Sequence, residues 1–148
     1  MNLRTLAPWL LVAGLVAAWP TWAENSTSAD GYVIHHNAFT ADTLDPAIAN
    51  SYRIQRSKQR GVLNVSVIKN KPGTTGTPTA ARVEVNAASQ TGQKMRIPMR
   101  ELREQDAIYY IGEFPVQDQQ TLDFAISVTP EGTAKTIEAH TSQQFFTK

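Results

Sequence analysis

Val62-Leu63-Asn64-Val65-Ser66-Val67-Ile68-Lys69-Asn70 decides the fold class of this chain. Leu63, Val65 and Val67 alternate with Asn64, Ser66 and Lys69, apart from the apolar Ile68. Successive side chains of a strand point to opposite faces, so this period of two describes a β-strand with one buried and one wetted face.

The same rhythm recurs on either side. Upstream, Tyr32 to Phe39 is a candidate strand. Downstream, Ala81, Val83, Val85 and Ala87 alternate with Arg82, Glu84 and Asn86, and Met95, Ile97 and Met99 alternate with Lys94, Arg96, Pro98 and Arg100. Pro98 cannot donate to a ladder, which makes that strand an edge or a bulged one. Ile108, Tyr110, Gly112 and Phe114 share a face, as do Leu122, Phe124, Ile126 and Val128; a last strand runs from Thr133 to Phe145, with Phe145 and Phe146 anchoring the end. Turn signals separate the runs at Lys71 to Pro78, Ser89 to Gly92 and Thr129 to Gly132. About seven strands without a βαβ rhythm predict an all-β protein: an antiparallel, immunoglobulin-like β-sandwich with one short inserted helix. Leu63, Val65, Val67, Val83, Val85, Phe124 and Ile126 are its expected core.

The helix is predicted from Asp45-Pro46, an N-cap followed by a proline suited to the first helical position, with Ile48 and Tyr52 on one face. It runs directly into the basic loop Arg56-Ser57-Lys58-Gln59-Arg60-Gly61.

The amino terminus reads as an export signal. Arg4 precedes the apolar run Leu6 to Trp19, too short to span a bilayer, and Thr21 and Ala23 stand at the positions a signal peptidase reads. Residues 1–23 are the expected signal peptide and residues 24–148 a single β-sandwich domain, periplasmic or secreted, with Glu24 to Gly31 a polar, disordered lead. The chain contains no cysteine, so the domain has no disulfide and no thiolate site, and its core must hold it alone. No second apolar stretch is long enough to cross a membrane.

Function is less legible. Removing Arg4 leaves 13 basic and 13 acidic residues, so no overall field favours nucleic acid. Gly-x-Ser-x-Gly, His-Glu-x-x-His and glycine-rich phosphate loops are absent, which argues for a non-enzymatic protein without a cofactor. Glu101, Glu104 and Asp106, beside Arg100 and Arg103, are expected as a solvated ion-pair cluster in a turn. Two site hypotheses remain. In the first, Arg53, Arg56, Lys58 and Arg60 bind an envelope protein or an anionic small ligand through segment 45–61; the alternative is that these arginines tie the helix to Asp42, Asp45 or backbone carbonyls while it plugs one end of the sandwich. In the second, a periplasmic, copper-handling site forms from His35 or His36 with His140, provided the first and last strands pair; His35 and His36, as strand neighbours, face apart and cannot share one ion.

Asn37-Ala38-Phe39, Arg56-Ser57-Lys58, Leu63-Asn64-Val65-Ser66-Val67 and the closing Gln143-Gln144-Phe145-Phe146 give the chain a further aspect. With these motifs it resembles an uncharacterised family of small exported proteins of Gram-negative bacteria, a domain of unknown function. The resemblance implies a β-rich domain and an envelope location, and it transfers no functional residue.

Overall fold

The computed structural model describes residues 25–148, so the expected signal peptide and its cleavage point lie outside the described residues. Two antiparallel sheets face each other. One contains, in spatial order, β1 (Ser26–Ala29), β2 (Tyr32–Thr40), β3 (Arg60–Lys69), β8 (Ala107–Pro115) and β7 (Arg100–Glu104), with the short β4 (Thr77–Pro78) extending the β8 side of β3. The other is ordered β10 (Ile137–Phe145), β9 (Gln120–Pro130), β5 (Ala81–Ser89) and β6 (Lys94–Ile97). The antiparallel sandwich expected from the alternation is therefore present, with ten strands among the described residues rather than seven.

The additional strands, β1, β4 and β7, are short, and β4 is only Thr77–Pro78 at the end of the segment expected as a turn, paired with Ile68 and Lys69. Residues 26–29, expected as a disordered lead, form β1 and pair with β2 from Ser26↔His35 to Ala29↔Tyr32. Asp30 and Gly31 adopt φ 51° and 81°, the left-handed pair of a tight hairpin turn whose twist suits the flanking strands. β7 takes in Arg100, Glu101, Arg103 and Glu104, so these members of the charged cluster lie on a strand, and Asp106 lies in the turn that follows. β6 ends before Pro98 at the edge of the four-stranded sheet, as the proline requires.

Between the sheets lies the core expected from the alternating registers. Leu63, Val65, Val67, Val85, Phe124 and Ile126 are fully buried or nearly so. Val83 is only partly buried, because β6 begins its pairing at Val85↔Ile97 and leaves the flank beyond uncovered. Phe114, Phe124 and Phe145 meet edge to face, with ring centroids 5.3 to 6.4 Å apart, the arrangement favoured by the ring quadrupoles. Phe146, expected to anchor the end beside Phe145, is 61% exposed.

A second, smaller core was not anticipated. Ala41, Ile54, Val62 and Ile111 are buried on the outer face of the larger sheet, with Phe39, Leu44, Tyr52, Leu102 and Tyr109 around them. Segment 41–59 thus covers a sheet face and does not plug one end of the sandwich.

Candidate functional site

The covering segment starts with a single 3-10 turn, Ala41–Thr43, followed by the helix α1 (Pro46–Ser51). The Asp45 carboxylate caps α1 by accepting from the backbone N–H groups of Ala47 at 2.8 Å and Ile48 at 3.4 Å, which satisfies donors that a helix start leaves free. α1 ends in a Schellman arrangement. Arg53 N–H donates to Asn50 O at 3.1 Å and Ile54 N–H to Ala49 O at 2.8 Å. Arg53 itself sits at φ 54°, a left-handed conformation usually given to glycine at this place.

The buried side of the segment is Ala49 and Ile54. Ile48, expected on the packing face with Tyr52, is instead 45% exposed. Burial, then the neighbouring Glu104 carboxylate, pushes the Tyr52 phenol up to about 12, so it stays neutral across the physiological range.

The four cations divide into two pairs. Arg56 donates to the backbone carbonyl of Asp42 at 2.7 Å, fastening the loop to the 3-10 turn. Arg60 donates to Glu113 Oε1 at 3.2 Å and to Gln55 Oε1 at 3.3 Å, bridging the loop to β8. Arg100 reaches from β7 to the Tyr52 carbonyl. These contacts make Arg56 and Arg60 parts of a clasp. Arg53 and Lys58 are exposed, and among the described residues neither makes a side-chain hydrogen bond or an ion pair. The segment thus presents one uncovered large apolar side chain, Ile48, and two uncommitted cations.

The histidines are not brought together. His35 projects from the outer face of the larger sheet, whereas His36 points between the sheets and is 4% exposed. His140 pairs with Ala125 and lies on the outer face of the other sheet. β10 pairs with β9 and β2 with β1 and β3, so the pairing needed to join either histidine to His140 is not formed. Among the described residues no group of three or more His, Cys, Asp or Glu side chains is placed to hold a metal ion. Desolvation, then the charge of His35, pulls the His36 imidazole below its ordinary value, and its Nδ1 is buried without a hydrogen-bond partner.

A depression of about 760 Å³ on the outer face of the smaller sheet had no signal in the sequence. Ala88 and Ala125 are its low floor, and Asn86, Lys94, Asp123 and His140 stand around it. Cross-strand pairing assembles this surface from four strands, so no contiguous motif marks it.

A family model described as a domain of unknown function, DUF4426, matches residues 26–148. The chain belongs to the DUF4426 family. The crystal structure of a DUF4426 family protein from Pseudomonas aeruginosa PAO1 is similar at 26% identity and TM-score 0.71, covering 86% of this chain and 99% of that one. The GAE domain of yeast GGA1 matches at 12% identity and TM-score 0.37, covering 81% of this chain and 98% of that one, a likeness too slight to carry an argument. No curated protein matches. The DUF4426 match takes in both the sandwich and the clasp, so segment 41–59 is part of the family domain rather than an addition to it.

Proposed function

We propose that this DUF4426 protein is a non-enzymatic binding module of the bacterial envelope, exported by the leader at residues 1–23, and that it recognises an acidic partner through α1 and the following loop. One observation carries this reading: Arg53 is exposed and uncommitted while held in a left-handed backbone conformation that glycine would adopt with less strain. A strained residue whose side chain contributes no contact to the fold points to selection for something outside it. Lys58 offers a second free cation and Ile48 an apolar contact, a combination suited to an acidic protein surface with an apolar centre. Arg56 and Arg60 hold the loop in place for this purpose.

The test is capture from Gram-negative envelope extract by the wild-type protein and by an Arg53→Glu, Lys58→Glu double variant. Capture should be lost in the variant, with the melting curve nearly unchanged, and should weaken in the wild type as salt rises, because exposed charges are screened over roughly 10 Å at 0.1 M ionic strength. Equal capture by both proteins would reject the assignment.

A further inference from the structure

β10 is an edge strand of nine residues that pairs with β9 along its whole length, from Ile137↔Val128 to Phe145↔Gln120. β1 and β2 of the opposite sheet approach it, yet among the described residues no backbone hydrogen bond joins them to it. An unpaired edge presents a row of N–H and C=O groups to any strand that can align with it, and proteins usually blunt such edges with short strands, lysine, proline or bulges.

The other edges of this sandwich carry these devices. β6 has four residues, including Lys94 and Arg96, and stops before Pro98. β1 has four residues, and β7 reads Arg-Glu-Leu-Arg-Glu. β10 has none of them: its sequence Ile-Glu-Ala-His-Thr-Ser-Gln-Gln-Phe contains no lysine and no proline, and Glu138 is its sole carboxylate.

The same strand is compatible with itself. An antiparallel pairing of two copies about a two-fold axis at Thr141 sets Glu138 opposite Gln144, His140 opposite Ser142 and Ile137 opposite Phe145. No like charges meet, and the residues at each end are apolar. His140 and Ser142 make no side-chain hydrogen bond within the described residues, and both line the depression on the smaller sheet. Pairing therefore gives each a cross-strand neighbour.

We propose that the protein forms a two-fold dimer in which β10 of one copy adds to β10 of another in this register, joining two four-stranded sheets into one. This is an isologous contact, the kind that closes without forming fibres.

Sedimentation of the purified protein over a concentration series tests the proposal, with a charge swap to test the register. The wild type should pass from monomer to dimer. Gln144→Glu, which sets a glutamate opposite Glu138 of the partner subunit at both ends, should raise the dissociation constant several-fold, and the Glu138→Lys, Gln144→Glu double variant should restore the dimer or tighten it. A wild type that is monomeric at every concentration overturns the proposal. So does a dimer that is indifferent to Gln144→Glu, because its contact must lie elsewhere.

Discussion

The backbone N–H of Ala81, at the start of β5 in the smaller sheet, donates to the Tyr110 hydroxyl on β8 of the larger sheet at 2.7 Å. That hydroxyl donates in turn to Glu101 Oε2 on β7 at 3.0 Å. One phenol thus bridges the sandwich and fixes the corner where β7 passes beside β5. Burial, with help from the Glu101 hydrogen bond, raises the Tyr110 phenol, which keeps it a neutral donor. Glu101 is held below the usual carboxylate range by Arg103 first and Tyr110 second, and remains the ionised acceptor.

Tyr110→Phe should therefore cost about 1–3 kcal/mol, because the Ala81 N–H loses its acceptor in a partly buried place. Chemical denaturation measures this. A midpoint equal to that of the wild type would mean that water replaces the hydroxyl and that the bridge is incidental.

Gly61 supports a second prediction. It lies opposite Phe114 in the β3–β8 pairing, and a Cβ at this position would fall on the Phe114 ring. The ring has little room to retreat, since it packs edge to face on Phe124 and Phe145. Gly61→Ala should be destabilising by about 1–3 kcal/mol, as overpacked cores are. An unchanged melting temperature would show that Phe114 can rotate away.

How much of this was legible in the sequence depends on which face a residue occupies. The sandwich interior was readable because a single buried face produces strict alternation, as in Leu63, Val65 and Val67. The outer core was not, because it rests on apolar residues that break that alternation: Val62 beside Leu63, and Ile111 beside Tyr110. Those two departures mark β3 and β8 as strands covered on both faces. Asp45-Pro46 announced the helix, yet with only six helical residues, α1 gives too few positions to set its buried face, and Ala49 rather than Ile48 proved to point inward. The division of the basic loop into Arg56 and Arg60 as fasteners and Arg53 and Lys58 as free cations depends on tertiary partners, Asp42 and Glu113, that spacing alone does not connect.

His36 makes stability depend on pH. Its imidazole is buried between the sheets and titrates below its ordinary value, so in the unfolded chain it takes up a proton more readily than in the folded one. Where the unfolded state binds more protons, stability falls as pH falls. The loss should begin as pH drops below about 6.5, the ordinary histidine value, and level off once the folded-state value is passed. His36→Gln should flatten this part of the curve, whatever its effect on stability at neutral pH. Urea midpoints measured through the window decide the matter, and an identical slope in the variant would assign the dependence to other groups.

Arg53 separates fold from recognition. Its N–H closes the C-terminal turn of α1 at 3.1 Å from the Asn50 carbonyl, and its φ of 54° is needed for that bond and for the Ile54 to Ala49 bond that follows. A side chain in this conformation brings Cβ close to the following carbonyl, a cost that glycine avoids. Arg53→Gly should accordingly raise stability by on the order of 0.5–1 kcal/mol, the gain tempered by the greater freedom of glycine in the unfolded chain. Arg53→Ala, which keeps the strain and removes the guanidinium, should leave stability near that of the wild type. Both variants should lose partner capture alike, because both lack the cation. A glycine variant that is more stable and still captures its partner would show that the strain at Arg53 serves no recognition, and that Ile48 and Lys58 act without it.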